Sequence, residues 1–305
     1  MIRVLIILLF GVVFFSACTS KPETQEKQAL KIVTTTGMIR DAVQNIVGNH
    51  ATVEALMGPG VDPHLYKATQ GDLKKLTEAD IVFYNGLHLE GKMGEVLKKL
   101  SRTKPVFAVA SALPDSILLE AEGFKGITDP HIWFDVSLWM EAVNAIHTYM
   151  NKTDPEHKSY YDSATQIYSS QLDSLHRSVK EQLLTIPEEQ RVLITAHDAF
   201  AYFGRAYNID VRGLQGISTV AEFGLRDVTE LVDFIIKRKI KAIFVESSIS
   251  PKSIEAVQEG CRKKKWEVAI GGNLYSDAMG EAGTPEGTYI GMVHTNVKTI
   301  TEALR

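Results

Sequence analysis

The sequence has little cysteine, no excess of positive charge and no long apolar run. Two cysteines in 305 residues are too few for a disulfide framework, so stability must come from a hydrophobic core. A formal net charge of −4 gives no basis for a nucleic-acid partner. The one basic run, residues 262–265, is typical of a solvated helix end. With 45% hydrophobic and 23% charged residues, the chain is globular and predicts one large or two medium-sized cores.

The first residues carry a pattern of export. Val4 to Phe15 is uncharged and apolar, which is too short for a bilayer span of roughly 20 residues but typical of a signal-peptide core. The small residues Ser16 and Ala17 before Cys18 resemble the lipobox of bacterial lipoproteins. We therefore expect a lipoprotein signal peptide over residues 1–18, lipidation of Cys18 and a flexible polar tether over residues 19–29. The mature protein would be extracytoplasmic and anchored to a bacterial membrane.

β-branched runs and amphipathic segments alternate along most of the chain, which predicts an α/β fold. Short strands that alternate with helices favour a mostly parallel sheet flanked by helices on both faces. Two such series are present. The predicted strands lie at residues 31–36, 51–57, 81–84 and 105–109 in the first series, and at 191–195, 210–214, 242–246 and 266–270 in the second.

A long polar helix with one apolar stripe separates the two series. Its apolar residues recur every three or four positions over roughly 30 residues, or about 45 Å of helix. They are Tyr161, Ala164, Tyr168, Leu172, Leu175, Val179 and Leu183. We expect an N-terminal α/β lobe over residues 30–150, this rigid connecting helix within residues 151–186 and a C-terminal α/β lobe over residues 187–305.

An Asp-Pro-His sequence occurs twice, with His64 and His131 as its histidines. Proline fixes its own φ and favours an extended conformation for the preceding aspartate, so each imidazole leaves the backbone in a defined direction. Both histidines fall in loops of the first lobe. In the second lobe His197 follows one predicted strand closely and Asp277 follows the last.

Ligands of open α/β sheets bind beyond the carboxyl ends of the strands, so a cleft between the lobes allows these four side chains to meet. Three imidazoles and one carboxylate suit zinc first, with manganese or iron as harder alternatives. Each residue alone is weak support, since an isolated loop histidine is more often a surface residue and no short-spacing zinc motif is present. Strand-end topology permits these four but does not select them. The remaining histidines are interpreted as surface residues of loops and helices.

Six segments resemble the metal-ion solute-binding proteins of bacterial ABC importers, the zinc and manganese class with a TroA-like fold. They lie at residues 60–64, 85–90, 129–133, 196–200, 216–222 and 275–280, in the order of that family and across essentially the whole mature chain. The resemblance implies metal ligands at His64, His131, His197 and Asp277. It also implies a non-enzymatic protein that binds a divalent cation and delivers it to an ABC permease.

With histidine at position 197, the chain resembles the zinc or mixed zinc and manganese members of this family. Manganese-selective members carry glutamate at that position. Residues 112–128 lack the histidine-rich loop of many zinc-specific members, which leaves a mixed specificity open. The protein is expected to be a monomer, with bound Zn²⁺ or Mn²⁺ as cargo rather than as a catalytic cofactor. Two alternatives are a secreted zinc hydrolase, with Asp198 or Glu222 as its base, and a metal-containing surface adhesin.

Overall fold

A four-stranded parallel sheet with the order β2-β1-β3-β4 forms the first lobe. The computed structural model describes residues 29–121, 125–220 and 223–305. The elements of this lobe are β1 (Leu30–Thr34), α1 (Gly37–Val47), β2 (Ala51–Ala55), α2 (Gln70–Glu78), β3 (Ile81–Tyr84), α3 (Gly94–Leu100), β4 (Val106–Ala108) and α4 (Val136–Thr153). Asp135 caps α4 by accepting hydrogen bonds from the amides of Ser137 and Leu138, as its position before the apolar pattern predicts.

The second lobe repeats the alternation with two parallel strand pairs, β5-β6 and β7-β8. Strands β5 and β7 lie next to each other, so the two pairs are neighbours in one layer. The elements are β5 (Val192–His197), α6 (Ala201–Tyr207), β6 (Asp210–Gln215), α7 (Leu225–Arg238), β7 (Ala242–Glu246), α8 (Lys252–Lys263), β8 (Ala269–Leu274) and α9 (Tyr289–Leu304). The carboxyl ends of β5 and β7 therefore stand side by side.

The connecting helix α5 (Lys158–Leu184) spans 27 residues between the lobes. Its buried face follows the predicted stripe, with one difference: Thr165 is buried where Ala164 is half-buried. The helix begins after a short 3-10 turn at Pro155–His157, within the segment 151–186 that was predicted to contain it. This continuous helix makes the link between the lobes a rigid one.

The largest hydrophobic cluster runs through both lobes and along α5. Trp139 of the first lobe stacks on Tyr289 of the second, with ring centroids 5.3 Å apart. Trp133 donates from Nε1 to the carbonyl of Ser276 at 3.0 Å, and the Tyr289 hydroxyl donates to the carbonyl of Trp133 at 2.7 Å. Because these contacts are buried, the lobes can move only slightly without breaking a shared core.

The α/β fold with two lobes and a long connecting helix is confirmed, and most predicted elements are present within a few residues of their expected bounds. The last strand begins at Ala269 rather than at Trp266. Lys265 has a positive φ of 63° that turns the chain, and the Trp266 indole donates to the carbonyl of Ile240 instead of entering a strand. The division of the chain at residues 150 and 187 stays a prediction.

Several predictions concern residues outside the described ranges. They are the signal peptide, lipidation of Cys18, the tether up to residue 28 and a role for Glu222. Among the residues that the structure describes, no helix combines the length and the apolar character needed to cross a bilayer. Cys261 is a buried free thiol in α8.

Candidate metal centre

His64 lies in the loop that leaves β2. Gly60 in this loop has a φ of 70°, a conformation that glycine adopts without strain. The Asp62 carboxylate accepts a hydrogen bond from the His64 amide at 2.8 Å, which closes a tight turn around Pro63. The turn directs the imidazole inward, and His64 is only 2% exposed.

His131 lies in the second Asp-Pro-His turn, which is held more extensively. Oδ1 of Asp129 accepts from the His131 amide at 2.9 Å and lies 2.7 Å from its Nδ1. The Asn85 side chain donates to the carbonyl of Pro130 at 3.0 Å. The backbone amide of Asn85 in turn donates to the buried Glu90 carboxylate at 2.7 Å. With Nδ1 engaged by Asp129, Nε2 of His131 is the nitrogen available to an ion.

His197 is the last residue of β5, and Glu246 is the last residue of β7. The Glu246 carboxylate accepts from the His197 amide at 2.9 Å through one oxygen and lies 2.6 Å from Nδ1 through the other. Both residues are almost fully buried. A carboxylate on Nδ1 fixes the imidazole orientation and directs Nε2 away from the sheet.

Asp277 follows β8 and is buried where the two lobes meet. Its neighbour Ser276 is held on both sides. The Ser276 carbonyl accepts from Trp133 of the first lobe, and its hydroxyl lies 2.9 Å from that of Ser248. The short segment that carries Asp277 is thus fixed against the His131 loop.

The four predicted side chains converge on one point. Nε2 of His64 lies 3.3 Å from Nε2 of His131 and 3.6 Å from Oδ2 of Asp277. Nε2 of His131 lies 3.6 Å from Oδ1 of Asp277, and Nε2 of His197 lies 3.3 Å from its Oδ2. All four ligand atoms lie within 4.8 Å of one another. Ligands at the usual distances from a tetrahedral zinc ion are about 3.3–3.4 Å apart, so the separations fit one ion at the centre.

Unsatisfied polar atoms point to the same place. Nε2 of His197 and both carboxylate oxygens of Asp277 are buried without a hydrogen-bond partner within the described ranges. Buried polar atoms are normally satisfied, because leaving one unpaired costs roughly 1–3 kcal/mol. A divalent cation bound by these atoms removes that cost. The donor set and its geometry therefore fit a metal ion.

The ionisation of the centre follows from its burial and its carboxylates. Burial lowers the pKa of His64 to about 3, and the other two imidazoles act in the same direction. For His197, burial also acts to lower the pKa, but Glu246 and Asp277 outweigh it and raise the pKa well above its usual range. Burial acts to raise the pKa of Asp277, yet the imidazoles of His197, His131 and His64 hold it below its usual range. Asp277 is thus ionised, and His197 holds a proton that an ion must displace.

The other histidines lie elsewhere, as predicted for surface residues: His50, His88, His147, His157, His176 and His294. His147 pairs with Asp162 and His157 with Asp154, both away from the centre. His88 lines the same surface pocket as His64 but is not in the group of four. The sequence did not predict the role of Glu246. Its position at a strand end was the available signal, but a strand-end glutamate is too common to single out.

Two α/β lobes that enclose a buried centre of three histidines and one aspartate define a metal-ion solute-binding protein. The chain belongs to the family described as zinc-uptake complex component A, periplasmic, whose model matches residues 32–303. The resemblance inferred from the six segments is thereby confirmed.

Proteins that are similar in sequence or structure are also named as metal-binding proteins or as components of metal transporters. The chain is 51% identical over 298 residues to the manganese-binding lipoprotein MntA of Bacillus subtilis (strain 168), covering 97% of each. It is 31% identical over 309 residues to the metal ABC transporter substrate-binding lipoprotein SloC of Streptococcus mutans serotype c, covering 99% of this chain and 98% of that one. The solved structure of the periplasmic zinc-binding protein TroA from Treponema pallidum superposes with a TM-score of 0.88 at 49% identity, over 90% of this chain and 99% of that one. All three names are those of metal-binding proteins or of the substrate-binding component of a metal transporter, and neither a hydrolase nor an adhesin is favoured.

Proposed function

We propose that this protein binds one divalent cation between its lobes and delivers it to the permease of an ABC importer. The ligands are Nε2 of His64, His131 and His197 and the carboxylate of Asp277. The observation that supports this proposal most strongly is the convergence of four buried ligand residues, two of which, His197 and Asp277, have ligand atoms without hydrogen-bond partners within the described ranges. Family membership and the names of the relatives supply the transport role.

Zn²⁺ is the ion that best fits this ligand set, and Mn²⁺ is the second candidate. Three nitrogen ligands and separations of 3.3–3.6 Å suit four-coordinate zinc. Manganese fits if Asp277 binds through both oxygens and further ligands join. The relatives are named for both metals. Elemental analysis of the protein purified from its own cells distinguishes them, with zinc in about one equivalent as the expected result.

Binding and delivery are tested with the same variants. His64→Ala, His131→Ala and His197→Ala should each weaken Zn²⁺ binding by at least about 100-fold, because each removes a ligand from a four-ligand site. His157→Ala is the matched control, since that imidazole pairs with Asp154 away from the centre. In cells that lack the native gene and grow in chelator, the wild type and His157→Ala should restore growth. Equal binding by all four variants would exclude the assignment.

Anchoring by a lipid on Cys18 completes the proposal. The lipobox-like residues before it support this modification, as do the lipoprotein names of MntA and SloC. All four ligands come from one chain, so the site needs no second copy, and we propose a monomer on the outer side of the membrane. Cys18→Ala should release the protein from the membrane fraction with its metal affinity unchanged. Retention of that variant in the membrane would contradict the anchor.

A further inference from the structure

The two Asp-Pro-His turns share one hydrogen bond and differ in another. In both, Oδ1 of the aspartate accepts from the histidine amide two residues later, at 2.8 Å for Asp62 and 2.9 Å for Asp129. Asp129 uses the same oxygen to engage the imidazole of His131. Asp62 instead uses Oδ2 to accept a hydrogen bond from the Thr219 hydroxyl at 2.6 Å. Because Thr219 belongs to the second lobe, Asp62 connects the His64 turn to the opposite side of the cleft.

The two edges of the cleft are held with different strength. At the His131 edge, the Tyr202 hydroxyl donates to the carbonyl of Asp129 at 2.9 Å, in addition to the bond from Trp133 to Ser276. These groups are buried. At the His64 edge, Asp62 and Thr219 are only half-buried. A half-buried hydrogen bond exchanges with water more readily than a buried one, so the His64 edge opens more easily.

A surface pocket adjoins this weaker edge. It has a volume of about 440 Å³ and includes His64, Leu87 and Pro130 on one side and Ile217 and Val220 on the other. A second pocket, of about 180 Å³, reaches Asp277 but has the Arg40 side chain in its wall. The guanidinium charge of Arg40 repels an approaching cation, whereas the wall of the first pocket includes no lysine or arginine. Thr219 lies between Ser218 and Val220, which both line the first pocket.

We infer that Thr219 is a positioning residue that latches the His64 edge of the cleft. The ion enters and leaves through the pocket beside His64 when the bond between Thr219 and Asp62 is broken. When the bond forms, both oxygens of Asp62 are engaged, and the His64 turn is fixed to the second lobe with its imidazole directed at the ion. This inference rests on the proposed function.

In the open state, when the bond to Thr219 is broken, Asp62 has a second role. Once Thr219 releases it, Oδ2 of Asp62 is a carboxylate oxygen on the turn that carries His64, a residue of the pocket wall, and it attracts a hydrated cation. Closure then returns this oxygen to Thr219 while the ion passes to the four ligands. Loss of the latch should therefore speed ion release, and because entry uses the same opening it should not slow ion capture.

The test is the rate of Zn²⁺ release from Thr219→Val, measured by stopped-flow mixing of the Zn²⁺-loaded protein with excess chelator. Valine keeps the shape of threonine but has no hydroxyl. We expect release to be about tenfold faster, as for loss of a hydrogen bond to a charged group, and association to be no slower than in the wild type. Thr219→Ser keeps the hydroxyl and should release Zn²⁺ at close to the wild-type rate. Thr229→Val is the matched control, because the exposed Thr229 hydroxyl donates to the carbonyl of Leu225 within α7 and Thr229 does not line the pocket.

A double-mutant cycle tests the partner. Asp62→Ala should speed release on its own, and Thr219→Val should add nothing in that background. The thermal midpoint of the metal-free protein should be the same for Thr219→Val and wild type. A wild-type release rate in Thr219→Val, or a lowered midpoint that Thr219→Ser fails to restore, would overturn the latch and leave the proposed function intact. Failure of the wild type to bind Zn²⁺ or Mn²⁺ would overturn both.

Discussion

Oε2 of Glu246 lies 2.6 Å from Nδ1 of His197, and Oε1 of the same carboxylate accepts a hydrogen bond from the His197 amide at 2.9 Å. The two residues are the last of β5 and β7, and the contact between these two strands brings them together. Asp129 has the same relation to His131 through a local turn. Two of the three imidazoles are thus oriented by a buried carboxylate, one supplied by tertiary structure and one by local sequence.

Glu246→Ala should weaken Zn²⁺ binding by about 10- to 100-fold, the usual effect of removing a carboxylate that orients a metal-bound histidine. Glu246→Gln should cost less, because its amide oxygen can still accept from the imidazole. Competition titration against a chelator of known affinity measures both. Glu267→Gln, on an exposed side chain of the same lobe, is the control. Wild-type affinity in Glu246→Ala would show that the carboxylate does not orient the ligand.

Zn²⁺ affinity should rise with pH across the neutral range. The raised pKa of His197 means that the metal-free centre holds a proton that the ion must displace, whereas His64, with a pKa of about 3, is already neutral. Each proton released makes affinity increase up to about tenfold per pH unit, until the pH reaches the raised pKa of His197. Calorimetry at one pH in two buffers of different ionisation enthalpy counts the protons, and about one is expected. Constant affinity between about pH 6 and pH 8 would contradict this account.

The stability of the protein should depend on the buried face of α5. Leu172 is fully buried, so Leu172→Ala should reduce the free energy of unfolding by about 2–5 kcal/mol through lost burial and a cavity. Ile167, on the same helix, is 63% exposed, and Ile167→Ala should change it by less than about 0.5 kcal/mol. Denaturant unfolding of the metal-free protein measures both. Similar losses for both variants would mean that α5 does not pack through the predicted stripe.

Gly213 allows β6 to pass close to the backbone that carries His197. A Cβ at this position would lie 2.6 Å from the carbonyl carbon of His197 and 2.5 Å from the amide of Asp198. Gly213→Ala must therefore shift the His197 segment, and we expect weaker Zn²⁺ binding together with about 1–3 kcal/mol of lost stability. Gly94→Ala is the control, because a Cβ there meets nothing within 4 Å and alanine suits the start of α3. Unchanged Zn²⁺ affinity in Gly213→Ala would show that the close approach is not required.

Local patterns in the sequence predicted most of the fold. The bounds of β3 and β7 agree with the predicted ones, because the apolar runs there are unambiguous. The Asp135 cap was also predictable, since its carboxylate acts within three residues. Where the chain turns through a positive φ, as at Lys265, the strand bound was wrong by three residues.

The ligands of the metal centre could not be selected from local sequence patterns alone. Strand-end topology allowed His64, His131, His197 and Asp277 to meet but gave no reason to prefer them over other loop residues, and the family resemblance made the choice. The contact between Glu246 and His197 depends on β5 and β7 being neighbours, which no local pattern reports. The two Asp-Pro-His turns illustrate the same limit, because their sequences are alike but their contacts differ. Asp129 engages the imidazole of His131, whereas Asp62 accepts from Thr219 of the other lobe.

The position of the bound ion tests the central claim most directly. Crystals of the Zn²⁺-loaded protein, measured at the zinc absorption edge, should show one strong anomalous peak between the lobes. It should lie about 2.0–2.2 Å from Nε2 of His64, His131 and His197 and from a carboxylate oxygen of Asp277. Crystals of His157→Ala should show the same peak, and those of His197→Ala should lose it or show it greatly weakened. A peak bound by other residues, or none between the lobes at full zinc occupancy in solution, would contradict the account.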